Sequence, residues 1–371
     1  MPRQPRPAAD VIALTRLASQ RLAGEAFRDP SDVVRWLGAV QAQDYAGAKW
    51  ALALRGRGFT DVALDRAFDE GRFLRTHVMR PTWHFVAPED LRWLLALTAP
   101  RVHAANTYVY RAVELDRAVF SRARKVVATA LRGGRALTRA ELGARLEKRG
   151  IPASGLRLAC IVMHAELEGL VCSGPLRGRQ HTYMLLDERV PPVQPLTRDE
   201  ALEALARRFF TSHGPATPRD LAWWSGLTVT DARRAIALAG SKLQPIVIEG
   251  STLWASADCD VSPAPRSAAS MVHLLPNFDE HVVAYRDREH TFHPDMRNVE
   301  RRTGDQPLAV HLITRDGLVI GRWRRRLEKA RVVALIQPLA ALSARDRRGF
   351  VKAADAYAKF LERPVTMNID D

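Results

Sequence analysis

The chain has 371 residues, 47 % of them hydrophobic, and no apolar run nears the roughly 18 residues of a membrane span, so a soluble globular protein of two to four domains is expected. Lysine and arginine number 56 against 41 acidic residues, and the resulting net charge of +15 points to polyanionic partners. Cys160, Cys172 and Cys259 are widely spaced and odd in number, which excludes a disulfide framework and a cysteine-built zinc site and leaves buried free thiols as the expectation. The opening MPRQPRPAAD lacks the apolar core of a secretory signal, so a cytoplasmic protein is expected.

In chain order, three segments share one layout. The first, residues 10–100, places helices in VIALTRLASQRLA, DVVRWLGAV and VALDRAFDEG. Strands FLRTHVM and TWHFV follow, joined by Arg80 and Pro81, and PEDLRWLLALTA closes the segment. The second, residues 101–190, carries helices in RARKVVATALR, LTRAELGARLEKRG and SGLRLACIVMHAELEGL, then strands VCS and HTYMLL around the polar tip GPLRGRQ. There Thr138 stands three residues before Glu141, the spacing of a capping box, and Gly150 with Pro152 ends the middle helix. The third, residues 197–257, has RDEALEALARRFF, then GPATPRDLAWWSGL with Thr217 as N-cap and Pro218 at the first helical position, then VTDARRAIALAG. Its strands LQPIVIE and STLWA meet at a short turn carrying Gly250 and Ser251, a wing too short to reach far. Helices followed by a hairpin, three times over, read as tandem winged helices.

After a linker in CDVSPAPRSAAS, residues 271–371 read as a β-rich α/β unit with strands in LLPNFDEHVVAYRDR, PLAVHLITRDGLVIGRWRRR and RVVALIQPL and a terminal helix ARDRRGFVKAADAYAKFLE. The expected class is therefore α+β and helix-rich, three winged helices plus a C-terminal β-rich element.

Few residues suggest chemistry. Gln41 and Gln43 are two apart, so they converge only where helical geometry is broken, and a helix end or turn is expected there. Taken alone they read as surface or capping glutamines. Asp44 next to them is a general base or, better, a helix N-cap. His77 shares a strand face with Arg75 and Met79 and, like His84, lines a cleft or simply packs. The histidines show neither HExxH nor a cysteine–histidine cluster, so no metal and no cofactor are expected. Asp279 and Glu280, adjacent on an expected strand, face opposite ways and suit an ion pair with Arg286 or Arg288. Trp223 and Trp224 suit core packing. Arg322, Arg324 and Arg326 alternate along an expected strand, with Trp323 and Arg325 on the other face; they form a row for phosphates or a solvated edge. Arg177, Arg179, Gln180 and His181 at the wing tip are candidate DNA contacts.

The segments VQAQDYAGAKWALALRGRG, RPTWHFVAPEDLRWLLAL, GRQHTYMLLDERV, GPATPRDLAWWSGL and LLPNFDEHVVAYRDR together resemble the AlkZ-like winged-helix DNA glycosylases, in their Gln-apolar-Gln, azinomycin-type self-resistance branch. The resemblance covers nearly the whole chain. It implies a C-shaped clamp that binds double-stranded DNA carrying an alkylated purine. It also implies a monofunctional glycosylase that excises N7-alkylguanine, including bulky natural-product adducts and interstrand crosslinks, in DNA repair or antibiotic self-resistance. The hydrolytic water would be held by the motif Gln41-Ala42-Gln43. Such a neutral site suits a cationic base that leaves readily and needs little acid–base help. A monomer without membrane contact is expected. The alternative is a non-catalytic winged-helix transcriptional regulator, which would pair as a dimer on a two-fold site.

Overall fold

The computed structural model describes residues 8–260, 270–293, 310–339 and 341–369; most of the expected linker, residues 261–269, lies outside them. Side-chain caps open most of the helices. In the first unit α1 (Ala8–Ser19) is followed by α2 (Pro30–Leu37), β1 (Val40–Gln41), α3 (Tyr45–Ala53), α4 (Asp61–Asp69), β2 (Leu74–Val78) and β3 (Arg80–Val86). Asp29, Asp44 and Thr60 each accept a backbone N–H at the start of α2, α3 and α4. The sheet is antiparallel in the order β1-β3-β2. Its hairpin turns on Met79 alone, at a positive φ of 64°, because Val78 pairs directly with Arg80; Arg80 and Pro81 belong to β3 and not to the turn expected there.

Helix α5 (Pro88–Ala112) does not end at Pro100 as expected. An internal proline removes a hydrogen bond at a cost of about 3 kcal/mol. Buried Leu91, Leu94, Leu95, Leu97 and Val102 flank it in the same helix, and each buried apolar side chain contributes roughly 1.5–3 kcal/mol, so burial wins.

The second unit holds α6 (Arg117–Leu131), β4 (Leu137–Thr138), α7 (Arg139–Glu147), α8 (Gly155–Leu167), β5 (Val171–Ser173), β6 (Thr182–Leu185) and α9 (Leu186–Arg189), with sheet order β4-β6-β5. The box Thr138/Glu141 is formed in both directions. The third holds α10 (Arg198–His213), α11 (Pro218–Ser225), α12 (Val229–Ala239), β7 (Leu243–Ile248) and β8 (Ser251–Ser256), and Thr197, Thr217 and Thr228 each open a helix with a capping box. Its hairpin turn is Glu249-Gly250, both at positive φ, one residue earlier than expected.

The C-terminal unit is a five-stranded sheet, β13-β12-β11-β10-β9, made of β9 (Val272–Leu275), β10 (His311–Arg315), β11 (Leu318–Leu327), β12 (Val332–Pro338) and β13 (Val365–Ile369), with short helix α13 (Glu280–Val283) after β9 and α14 (Ala344–Leu361) before β13. The expected strand LLPNFDEHVVAYRDR stops at Leu275, and β13, which the sequence reading lacked, pairs parallel to β12.

The units do not own separate cores. One buried cluster runs from Ala39 through the second and third units to Tyr285, and another joins Val33 and Trp50 to Trp323, Tyr357 and Phe360. The seams are hydrogen-bonded as well: Trp50 Nε1 donates to Leu274 O at 2.6 Å and Tyr285 OH to His213 O at 2.8 Å.

Candidate active site

Gln41 ends the two-residue strand β1, which exists because β3 offers it Phe85 and His84 as partners. The chain then bends at Gln43 and Asp44 into the α3 cap. The segment is a strand end running into a helix N-cap, so helical geometry is broken there as expected.

This backbone is pinned on several sides. Gln41 N donates to Glu280 Oε1 at 2.7 Å, Ala42 N to Trp83 O at 2.7 Å, and Arg75 Nε to Ala42 O at 2.9 Å. Arg75 lies over the Trp83 ring at 4.4 Å, and His77 packs on the same ring at 4.3 Å. The Gln41 side chain is buried, and its Oε1 accepts from Arg80 Nη2 at 3.0 Å, which fixes the amide orientation and leaves one lone pair and the NH2 group. Gln43 is exposed. Asp44 accepts from Gly47 N at 3.1 Å, so it is the N-cap.

Glu280, expected in an ion pair with Arg286 or Arg288, instead reaches the backbone of the motif. It is fully buried, with one carboxylate oxygen on Gln41 N and the other accepting from Trp224 Nε1 at 2.9 Å, and His213 Nε2 stands 3.6 Å away. Asp279 also differs from expectation: it caps α13 and binds Arg55 at 2.8 and 3.0 Å. Burial would raise its carboxyl, but Arg55 holds it below the ordinary value. The reason is local. Phe278 takes a positive φ of 60°, which turns the chain out of the strand before Asp279. Trp224 packs in the core as expected, while Trp223 is half-buried beneath Arg286 and Arg288.

His84 faces Gln41 across the strand pair, and burial, then Arg80, holds its imidazole well below the usual range; it therefore stays neutral. Burial also pulls the Arg80 guanidinium down, opposed by Glu280. His77 Nδ1 meets Glu166 Oε2 at 2.6 Å, a contact between the first two units. Met79 does not share its face, because a bulge follows His77 and Met79 turns into the core.

The wing of the second unit lies against the first. Leu176 N donates to Asp69 Oδ1 at 2.6 Å, and His181 packs edge-on against Tyr45 at 4.8 Å, where burial and then Arg75 lower its pKa to about 4. Arg177 pairs with Glu141 at 2.7 Å, whereas the Arg179 and Gln180 side chains are exposed. On β11, Arg322, Arg324 and Arg326 are exposed on one face, with Trp323 buried and Arg325 donating to Tyr357 OH at 2.8 Å on the other. The sequence places Arg80 in a turn, Glu280 in an ion pair and Arg75 on the face of His77, but links none of them to the motif; Glu280 sits 239 residues from its partner.

A strongly basic scaffold of helix–hairpin units, carrying a pinned Gln41 beside an exposed Gln43, has the features of a protein that acts on nucleic acid. The model of the AlkZ-like DNA glycosylases matches residues 34–360, and the chain belongs to that family and is a DNA glycosylase. A relative described as an interstrand DNA cross-link repair glycosylase, from Streptomyces sahachiroi, is 26 % identical over 323 residues, spanning 83 % of this chain and 85 % of the relative. The solved structure of the Streptomyces sahachiroi DNA glycosylase AlkZ matches 98 % of this chain and 100 % of its own with a TM-score of 0.78 at 22 % identity, and the fold is accordingly a winged-helix clamp. Among the described residues no helix is long and apolar enough to cross a membrane.

Proposed function

We propose that the chain acts as a monomer on double-stranded DNA, hydrolysing the N-glycosidic bond of N7-alkylguanine, including bulky adducts and interstrand crosslinks, by means of a water held between Gln41 and Gln43. The observation that carries this is the pinning of Gln41: Glu280 holds its backbone and Arg80 its amide oxygen, beside an exposed Gln43. The C1′–N9 bond breaks with its electron pair passing to the cationic guanine, the water oxygen bonds to C1′, and its proton passes to solvent. The oxocarbenium-like sugar needs an oriented water and electron-rich oxygens more than a strong base. Glu280 is no competing base, since both of its oxygens are engaged. Arg179, Gln180, Arg322, Arg324 and Arg326 grip phosphates from exposed positions, with Arg177 and His181 shaping the base of the wing. The cross-link named for the relative supports including crosslinked duplexes.

The test is strand scission by mild alkali on a duplex with a single N7-methylguanine and on a crosslinked duplex, comparing the protein with Gln41→Ala/Gln43→Ala. Abasic sites should form with the protein and fall by roughly 10²–10³ in the variant, with duplex binding kept. An intact N7-alkylguanine strand, or equal excision by the variant, would overturn the reading.

A further inference from the structure

Away from Gln41, helices α5 and α8 bring together three side chains that the sequence keeps apart. His164 and Glu168 are four apart on and just beyond α8 and therefore share a face, and His103 comes from α5. Their ligand atoms all lie within 4.8 Å of one another. His103 Nε2 stands 3.1 Å from Glu168 Oε1 and is buried, yet makes no hydrogen bond there. Around a tetrahedral ion with bonds of roughly 2.0–2.2 Å, neighbouring ligand atoms sit about 3.3 Å apart, so the observed pair already has nearly that spacing. Two neighbours hold the imidazoles in place. Tyr110 OH lies 3.2 Å from His103 Nδ1, which directs Nε2 toward the cluster, and His164 stacks on Phe120 at 3.7 Å. The cluster opens on a cavity of about 500 Å³ between these helices and α6.

We propose that His103, His164 and Glu168 bind one divalent transition ion, zinc foremost, with the fourth coordination position open to this cavity. Two imidazoles and one carboxylate suit zinc, cobalt or nickel and lack the oxygen count that calcium or magnesium requires. The ion would fasten α5, which spans the first two units, to α8 of the second. Sequence spacing gave no sign of this, because His103 lies on a different helix from the other two.

The test uses untagged protein stripped with chelator and titrated with Co²⁺, followed by competition with Zn²⁺. One equivalent of cobalt should bind with a visible d–d band that zinc abolishes, and zinc should raise the melting midpoint. His164→Phe keeps a ring on Phe120, and Glu168→Gln alters an exposed side chain, so both variants should fold, as circular dichroism checks. Each should weaken cobalt binding by more than about tenfold. Absence of stoichiometric binding, or binding unchanged in both variants, would overturn the site. If His164→Phe fails to fold, Glu168→Gln alone decides.

Discussion

Arg80 and Glu280 act on Gln41 from opposite ends, one on the side-chain oxygen and the other on the backbone amide. Their partner is neutral, so their value lies in geometry: a charge-assisted hydrogen bond of roughly 1.5–3 kcal/mol holds the amide in one orientation. Lysine at position 80 would keep the charge but lose the planar fork that meets an amide oxygen. Arg80→Lys should therefore lower kcat for base excision by about tenfold or more while leaving KM for the duplex close to wild type. A rise in KM with kcat unchanged would mean that Arg80 serves DNA binding and does not position Gln41.

Elements were legible wherever their signal is local. The box Thr138/Glu141, the cap Thr217 before Pro218 and the alternation of Arg322, Arg324 and Arg326 are signals within a few residues, and each sits as its spacing implies. What escaped depends on distant partners. Strand β1 is two residues long and exists through β3, α5 passes Pro100 because its flanks are buried, and the Glu280–Gln41 contact spans 239 residues. The turn at Met79 shows how such contacts reach the site. Gly226, the left-handed residue after α11 at φ 72°, sits so close that a Cβ there would lie 2.3 Å from Met79 O, one residue from Arg80. Gly226→Ala should thus cost about 1–3 kcal/mol from strain and displacement together. Denaturant melts should show that loss, and excision at a temperature where the variant is fully folded should also fall, because the Arg80 end of the hairpin moves. A stable variant with normal excision would show that the hairpin yields without moving Arg80.

Across the whole molecule, histidine rings bond backbone carbonyls in the interior: His273 joins the C-terminal unit to the first, and His281 ties α13 to the turn between β10 and β11 within the C-terminal unit. His273 donates from Nε2 to Leu22 O at 2.9 Å and His281 from Nε2 to Gly317 O at 2.7 Å, while His281 Nδ1 is buried without a partner. Protonating that Nδ1 would place an unsatisfied charge in the interior, and burial accordingly lowers His281 from 6.5 to about 4 and lowers His84 and His273 as well. The sign follows from proton binding. The unfolded histidine takes up a proton near 6.5 and the folded one does not, so the stability is present above 6.5 and is lost as the pH falls toward the folded value. For His281 alone, going from pH 7 to pH 5 removes about 2 kcal/mol, a large share of the 5–15 kcal/mol typical of folded proteins. The buried carboxylate Asp279 is held below its ordinary 3.8, so it loses its contribution only at lower pH and does not oppose the trend in this window. Because the cores and seams are shared among units, the loss should appear as a lower midpoint of one transition, with no early melting of a single unit. Calorimetry at pH 7 and pH 5 should show one endotherm moving down by several degrees; a constant midpoint, or two endotherms that separate in acid, would mean that these neutral histidines contribute little to the stability of the shared core.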